Sequence, residues 1–449
     1  MRKLFGTDGI RAVAGETPLD AVTIFAVGLA LAHQIAQNNL SKRILLGMDT
    51  RESGPWIAAT LAAGLYKGGV EVENAGIVTT PAIAYLTRQH SFAAGVVISA
   101  SHNPWQDNGI KIFGSDGYKL PDATELAMEQ EIFRHREAVA ASNPYTTELP
   151  PVDSAYRLEY EAFLGKTVPG LNLEGLHVVL DCANGAASAI APELFERLGG
   201  KITLTHIYPD GRNINQDCGA LHPEVVAAAT KAAGADLGIT FDGDADRVLF
   251  ADRNGKVVNG DGVLLLAARD LKQQCTLTGN VVVGTTMSNM GLEAALGSDG
   301  IRMVRAAVGD KYVLERMRAE KAALGGEQSG HILFPALATT GDGLLTGLLV
   351  LAIMARSGQS LDQLTADLKV FPQTIVNVRV REKLPLEEIP SIAQTIREAE
   401  KELAKRGRVV VRYSGTEALA RVMIEAESEA LMKKHAEQIA GAIRTALGA

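Results

Sequence analysis

The 449-residue sequence has few of the features that mark secreted, membrane or nucleic-acid-binding proteins. Its three cysteines, Cys182, Cys218 and Cys275, are far apart and in no metal-binding spacing, so we expect reduced thiols in a cytoplasmic protein. The amino terminus has no apolar stretch of signal-peptide length, and the apolar run Leu344–Met354 is too short to span a membrane. A net charge of −8 without a long basic run argues against nucleic acid as a partner.

Three common catalytic signatures are also missing. No serine lies in the G-x-S-x-G elbow of many hydrolases. The chain contains neither a P-loop nor a G-x-G-x-x-G dinucleotide loop. An ordinary serine hydrolase and a nucleotide-dependent enzyme are therefore disfavoured.

What the sequence does contain is an alternation of apolar strands and helices. The composition, 47% hydrophobic and 21% charged, is that of a globular protein, and the length favours about three domains. Three similar strand-turn-helix units predict three α/β domains with parallel or mixed sheets, whose ligand-binding loops lie at the carboxyl ends of the strands. The strands and their helices are Ile44–Met48 with Pro55–Lys67, Val178–Leu180 with Ala189–Leu198, and Val281–Val283 with Met290–Leu296.

The last part of the chain has a different rhythm and predicts a small, separate α+β domain. Its expected elements are strand Thr374–Val380, helix Leu386–Lys405, strands Arg408–Arg412 and Leu419–Glu427, and helix Ser428–Leu447. We place boundaries in the linker Ala138–Asp153, after the strand Asp236–Ala251 near Asn254-Gly255, and near Leu368–Pro372. The predicted domains are 1–150, 151–254, 255–369 and 370–449.

A cluster of aspartates follows the predicted buried strand Leu237–Phe241. Asp242, Asp244 and Asp246 occupy every second position, where an extended backbone brings their side chains together. Oxygen ligation with room for water and a phosphate oxygen suits Mg²⁺. A calcium EF-hand is excluded because its sixth residue, a glycine, is Arg247 here. The alternative is a solvated acidic turn with Arg247 as its counterion.

A serine-containing loop, Ser99–Pro104, follows the predicted strand Ala94–Ile98. Its Asn-Pro pair forces a turn that exposes Ser101. Three roles stay open for Ser101: a nucleophile, a phosphorylated donor, or a plain turn residue. Taken alone, His102 indicates a hydrogen-bonding partner, and Lys111 a surface lysine.

Two further loops offer groups that suit a polar, anionic ligand. The glycine-rich segment Gly325–His331 fits a polyhydroxylated ligand such as a sugar, and equally a hairpin. The segment Arg412–Glu417, with Arg421 nearby, offers guanidinium, hydroxyl and backbone N–H groups for a dianionic phosphate. Taken by itself, this segment is better explained as a β-hairpin turn.

Together, and in this order along almost the whole chain, these loops resemble the signature set of the α-D-phosphohexomutase superfamily. The glutamine at position 328 resembles the amino-sugar branch of this superfamily. The branches that act on glucose and mannose phosphates typically have Met at this position. The matching segments are Phe5–Arg11 (opening motif), Ser99–Pro104 (phosphoserine loop), Asp242–Arg247 (metal loop), Glu327–His331 (sugar loop) and Arg412–Thr416 (phosphate loop).

The resemblance implies three related α/β domains with mixed sheets and a C-terminal α+β domain like the TATA-box-binding protein. It implies interconversion of D-glucosamine 6-phosphate and D-glucosamine 1-phosphate through a phosphorylated Ser101. This reaction would feed the synthesis of UDP-N-acetylglucosamine and of the cell wall. Glucosamine 1,6-bisphosphate would be the intermediate, and it or glucose 1,6-bisphosphate the activator. One Mg²⁺ per subunit would be held by Ser101, Asp242, Asp244 and Asp246.

The resemblance also implies roles for single residues. Arg11, Lys111 and Arg247 would surround the transferred group, with His331 or Lys111 as general acid or base and His102 supporting the Ser101 loop. Glu327 and Ser329 would hold sugar hydroxyls, and the phosphate ligands would be Arg412, Ser414, Gly415, Thr416 and Arg421. The expected partner is a small phosphosugar, with no nucleic acid or membrane, and the sequence leaves the choice between monomer and homodimer open.

Other functions stay compatible with these motifs. The same chemistry could act on glucose or mannose phosphates, or a metal-dependent phosphatase could release inorganic phosphate. A sugar-phosphate-binding protein without turnover is disfavoured, because such a protein would be expected to lose part of the set formed by Ser101, the aspartates and the arginines.

Overall fold

The computed structural model describes residues 4–6, 8–139, 146–414 and 418–448. These residues form two compact units, one within 1–287 and 300–366, the other within 288–299 and 367–449. None of the described helices is long and apolar enough to cross a bilayer.

The first unit begins with a mixed five-stranded sheet in the order β1-β5-β4-β2-β3. Strand β2 pairs in parallel with β3 and β4, and β5 runs antiparallel to β4 and β1. Ile44 and Leu46 pack with α1 and α2 while Gly47 lies against Ile83 of α3, so helices cover both faces. The elements are β1 (Ile10–Val13), α1 (Ala21–Gln37), β2 (Arg43–Met48), α2 (Gly54–Lys67), β3 (Glu71–Ile77), α3 (Thr80–Gln89), β4 (Ala94–Ile98), β5 (Asp107–Gly114) and α4 (Asp122–Val139).

A second mixed sheet follows in the order β10-β9-β8-β6-β7. The strand expected over Asp236–Ala251 is wrong: two antiparallel strands, β8 and β9, flank the aspartate loop, because charged residues end the buried strand. The helix predicted over Ala189–Leu198 is shorter and begins at Ala191. The elements are α5 (Ala155–Thr167), β6 (His177–Asp181), α6 (Ala191–Arg197), β7 (Lys201–Thr205), α7 (Pro223–Ala233), β8 (Leu237–Phe241), β9 (Val248–Asp252) and β10 (Val257–Val258).

The third sheet of the first unit has four strands in the order β12-β11-β13-β14. Its central strand β11 runs parallel to β12 and β13, and β13 and β14 form an antiparallel hairpin. Its elements are α8 (Gly260–Gln273), β11 (Val281–Thr285), β12 (Arg302–Ala306), α10 (Asp310–Glu320), β13 (Gly325–Gly326), β14 (Ile332–Leu333), α11 (Gly343–Ser357) and α12 (Leu361–Leu364). Helix α9 (Met290–Ser298) belongs to the second unit.

The second unit is built on an antiparallel sheet in the order β15-β17-β16, with two long helices against it. The helix predicted from Leu386 begins instead at Pro390, because a residue before proline is disfavoured in the helical region and Ile389 is extended. The elements are β15 (Gln373–Arg379), α13 (Pro390–Leu403), β16 (Gly407–Tyr413), β17 (Leu419–Ala426) and α14 (Glu429–Leu447). The fold is therefore three α/β domains with mixed sheets and a C-terminal domain with an antiparallel sheet.

The packing of α1 on α2 depends on a close approach at Gly64. A Cβ atom there would lie 2.3 Å from the backbone oxygen of Phe25, so Gly64→Ala forces the helices apart. We expect it to destabilise the first unit by about 1–3 kcal/mol. Gly165→Ala on α5 is the control, since its new Cβ would meet no atom within 4 Å and should stabilise by up to about 1 kcal/mol. Equal melting temperatures for the two variants would contradict this packing.

Candidate active site

Two loops that follow strands of different sheets meet in the first unit. The hydroxyl of Ser101, after β4, donates to Oδ2 of Asp242, after β8, at 2.5 Å. Ser101 is 1% exposed, so the expectation that its turn exposes the serine is wrong, because the aspartate loop packs over it. A Cβ on Gly243 would lie 2.5 Å from the backbone oxygen of Ser101, so only glycine permits this approach. Ser101 and Ala245 have φ values of 55° and 56°, a left-handed conformation that costs energy in residues other than glycine. Such conformations concentrate at functional sites.

The three aspartates of the second loop converge as predicted, but the expected extended backbone is wrong. The loop is a turn, in which the Ala245 N–H donates to the backbone oxygen of Asp242 at 3.0 Å. Asp242, Asp244 and Asp246 are 0%, 0% and 4% exposed, so a solvated acidic turn is excluded. Their ligand oxygens lie within 4.8 Å of one another. Oδ1 of Asp244 and Oδ1 of Asp246 are buried and have no hydrogen-bond partner among the described residues.

These carboxylates are electrostatically unbalanced. Burial, together with Asp246 and Asp244, raises the pKa of Asp242 to about 8. Buried oxygens that lack donors, on carboxylates that repel one another, fit a hard divalent cation such as Mg²⁺. The three aspartates therefore satisfy the chemical requirements of a magnesium site.

Lys111 provides part of the compensating charge. Its Nζ lies 2.6 Å from Asp244, 3.3 Å from Asp246 and 3.0 Å from Asp8. Burial lowers the pKa of Lys111, but the three carboxylates raise it further, so the ammonium stays protonated. Burial by itself would raise the pKa of Asp246, but the ammonium of Lys111 holds that pKa well below its usual range. The lysine is 1% exposed and is not the surface lysine that its position alone indicated.

The Ser101 loop is held by Arg51, a residue that sequence reasoning missed. This guanidinium is 1% exposed and donates to the backbone oxygens of Ser101 and Asn103 at 2.9 and 2.8 Å, while Asp49 pairs with its Nε at 2.9 Å. The amide of Asn215, also missed, donates to the same two oxygens. The available signal was the polar turn after β2, where Asp49 and Arg51 stand at a strand end.

His102 and Arg247 lie beside the serine. Nδ1 of His102 is 3.3 Å from the Ser101 hydroxyl and 3.1 Å from Nη1 of Arg247, so it acts as an acceptor. Burial and the nearby arginines lower the pKa of His102 to about 4, which keeps the ring neutral. The backbone N–H of Arg247 donates to Oδ1 of Asp242.

A chain of alternating charges continues from Lys111. Asp8 contacts Lys111, Lys119 and Arg11, and Lys119 also pairs with Asp310. Lys119 and Asp310 line a cavity of about 200 Å³ between α10 and the segment after β5. Asp8 stands inside the opening motif, but no sequence signal singled out Lys119 or Asp310.

The glycine-rich loop is a hairpin and also borders the aspartates. It joins β13 to β14, and the backbone N–H of Val248, on β9, donates to the oxygen of Gly330 at 3.1 Å. Glu327 is buried and accepts from the Gly309 N–H at 2.9 Å, whereas Ser329 is exposed. The segment is therefore a hairpin that lies beside the aspartate loop, and its fit to a sugar stays a prediction.

His331, at the end of this hairpin, is 3% exposed. Its Nε2 accepts from the Gly341 N–H at 3.1 Å, and its Nδ1 faces Asp246 at 3.7 Å. Burial lowers the pKa of His331, but the carboxylates of Asp246 and Asp310 raise it further, above the ordinary value. The hydrogen bond from Gly341 therefore fixes the imidazole with its Nδ1 facing Asp246.

The proposed phosphate ligands lie in the second unit. Arg412 and Arg421 are directly opposite each other on β16 and β17. Like charges in that position destabilise a sheet unless an anion or a carboxylate lies near. Ser414 follows β16 and its backbone oxygen accepts from Lys383 at 2.7 Å, a cation that sequence reasoning missed. Gly415 and Thr416 lie outside the described residues.

Family models of known proteins match most of the chain. Family models for phosphoglucomutase/phosphomannomutase match residues 2–139 (alpha/beta/alpha domain I), 160–255 (domain II), 259–371 (domain III) and 375–442 (C-terminal domain). A phosphoglucomutase/phosphomannomutase family protein from Burkholderia thailandensis has a solved structure with a TM-score of 0.78, at 24% identity over 99% of both chains.

Two mutases of amino-sugar phosphates are also similar. The N-acetylphosphoglucosamine mutase of Aspergillus fumigatus, solved in complex with GlcNAc-6P and magnesium, has a TM-score of 0.64 at 20% identity over 99% of this chain and 96% of that one. The phosphoglucosamine mutase of Koribacter versatilis is 57% identical over 100% of this chain and 98% of its own length. The chain therefore belongs to the phosphoglucosamine mutases of the α-D-phosphohexomutase superfamily.

Proposed function

We propose that this protein interconverts D-glucosamine 6-phosphate and D-glucosamine 1-phosphate, with Ser101 as the phosphorylated residue. The observation that carries the proposal is the 2.5 Å hydrogen bond from the Ser101 hydroxyl to Asp242, a member of the buried aspartate cluster. A serine beside a cation site can store a phosphoryl group, and this explains why the chain needs no nucleotide loop.

The surroundings of Ser101 suit a dianionic phosphoryl group. Nε of Arg11 and Nε of Arg247 are buried without a hydrogen-bond partner among the described residues, so each can donate to a phosphate oxygen. Lys111 stays protonated and acts as a fixed cation, which argues for charge neutralisation and against a role as general base. Mg²⁺, held by the three aspartates and a phosphate oxygen on Ser101, would neutralise charge on the moving group.

The transfer balances without any further reactant. The bond from phosphorus to Ser101 Oγ breaks as a bond to O1 of the sugar forms, and the proton of O1 ends on Ser101 Oγ. The hydroxyl so formed donates to Asp242, and the neutral imidazole of His102 lies 3.3 Å from its oxygen and supports the loop. His331, whose Nδ1 lies 3.7 Å from Asp246, is the remaining candidate for moving the proton.

The second phosphate needs its own ligands. We assign it to Arg412, Arg421 and Ser414 of the second unit, because the facing arginines suit a dianion. Gly415 and Thr416 stay predicted ligands that lie outside the described residues. Glu327 and Ser329 would hold the sugar hydroxyls. The 1,6-bisphosphate must then reorient so that its 6-phosphate faces Ser101. Transfer of that phosphate to Ser101 leaves glucosamine 1-phosphate as the product.

Replacement of the proposed phosphoserine gives the most direct loss of function. Ser101→Ala removes the oxygen that carries the phosphoryl group, so kcat should fall at least about a thousandfold. Ser41→Ala, at an exposed serine, is the control and should leave kcat unchanged. The measurement is formation of glucosamine 1-phosphate in a coupled assay, with circular dichroism to confirm folding. Turnover near that of the wild type in Ser101→Ala would exclude the assignment.

The raised pKa of Asp242 predicts proton release when Mg²⁺ binds. In dephosphorylated, metal-free protein Asp242 titrates near 8, above its ordinary 3.8, so folding takes up a proton between these values and stability falls as pH rises through them. At pH 7, Mg²⁺ should displace about one proton, and at pH 9.5 almost none.

Calorimetry of Mg²⁺ binding in buffers of different ionisation enthalpy measures this release. Asp242→Asn should bind Mg²⁺ more weakly and release no proton at either pH. A release that is the same at pH 7 and pH 9.5 would contradict the assigned ligand.

The sugar preference separates the rival activities. We expect kcat/KM for glucosamine 6-phosphate to exceed that for glucose and mannose 6-phosphates by at least about tenfold, and Gln328→Met to narrow the ratio. A reversed order would make the protein a phosphoglucomutase or phosphomannomutase. Stoichiometric release of inorganic phosphate would instead identify a phosphatase.

A further inference from the structure

A second group of metal-ligating side chains lies on the surface formed by α1 and α4, apart from the residues assigned above. It consists of His33 on α1 and of Glu131 and His135, four residues apart on α4. Residues four apart share one face of a helix, so α4 presents Glu131 and His135 together. Their three ligand atoms lie within 4.8 Å of one another.

The distances between the ligand atoms of this cluster are close to those between the ligands of a bound metal ion. Oε2 of Glu131 is 3.2 Å from Nδ1 of His33 and 3.7 Å from Nε2 of His135. Two ligand atoms about 2.0–2.1 Å from a tetrahedral ion are roughly 3.3 Å apart. Small rotations of these partly exposed side chains would therefore bring all three atoms to bonding distance.

One nitrogen of this cluster already lacks a partner. Nε2 of His135 is buried and has no hydrogen-bond partner among the described residues. An unsatisfied buried polar atom costs free energy, and coordination of a cation would remove that cost. This observation is independent of the spacing and points to a ligand.

The neighbouring side chains can support an ion or move away from it. The amide of Gln37 contacts Nε2 of His33 at 3.1 Å and can donate or accept by rotation, which fixes the ring while Nδ1 faces Glu131. Arg134 pairs with Glu131 at 2.9 Å, but its side chain is 69% exposed and can leave to water. Another buried cluster differs: the carboxylate of Asp181 already accepts from three backbone or hydroxyl donors and a histidine, so it offers no open position.

We infer that His33, Glu131 and His135 bind a divalent transition ion of the zinc class, distinct from the Mg²⁺ assigned to the aspartates. Two imidazole nitrogens and one carboxylate are the ligands of zinc sites that keep one position for water. Imidazole disfavours Mg²⁺, which prefers oxygen, so the two sites select different ions. The ion would join α1 to α4.

The test uses the full-length protein, stripped of metal and returned to excess Mg²⁺ so that the aspartates are saturated. Zn²⁺ is then titrated by calorimetry, and Co²⁺ binding is followed by its visible absorption. The wild type should bind one more equivalent of Zn²⁺ than either His33→Ala or His135→Ala over the same concentration range. In each of these variants the affinity of the cluster for Zn²⁺ should fall more than about tenfold. Zn²⁺ should raise the melting temperature of the wild type but not of these two variants.

The matched control is His222→Ala, because His222 also pairs with a glutamate on the surface but belongs to no three-residue cluster among the described residues. It should bind Zn²⁺ like the wild type, and all variants should keep their mutase activity in Mg²⁺. Equal stoichiometry in the wild type and both cluster variants would overturn the site. Loss of binding in only one of the two cluster variants would overturn the three-ligand assignment.

Discussion

The repulsion among three buried aspartates at the end of β8 is the constraint on which the site depends. Lys111 opposes it from β5, and the same ammonium contacts Asp8 ahead of β1. The charges continue through Lys119 to Asp310 at the start of α10. This alternating series connects β5 of the first sheet, the loop after β8 of the second sheet and helix α10, which packs on the third sheet. Because the carboxylates exceed the nearby cations, the cluster is suited to a further cation and to an anion bound to it.

The serine loop is shaped by a different principle, the satisfaction of buried backbone oxygens. Arg51 and Asn215 donate to the carbonyl groups that the left-handed turn at Ser101 leaves without partners in a strand or helix. The turn therefore persists despite its unfavourable φ value, and the hydroxyl stays directed at Asp242. Because the aspartate loop and the serine loop approach at Gly243, a displacement of either loop would move the reacting oxygen away from the cation site.

Much of this was predictable where chemistry and strand ends coincide. The aspartates and Ser101 follow apolar strands as the sequence predicts, although Ser101 is buried and not exposed by its turn. The supporting side chains were not predictable, because Arg51 and Asn215 are distant in sequence from Ser101 and only tertiary packing brings them together. Local patterns also misplaced the start of α13, where the conformational restriction before Pro390 outweighs the helical periodicity.

The central claim is that the phosphoryl group given to the sugar is the one stored on Ser101. The most direct measurement mixes phosphorylated protein with one equivalent of glucosamine 6-phosphate and follows intact protein mass and sugar phosphates together. The account predicts that the protein loses one phosphate, mapped to Ser101, as an equal amount of 1,6-bisphosphate appears before glucosamine 1-phosphate. Formation of glucosamine 1-phosphate by protein that never carries phosphate on Ser101 would contradict it.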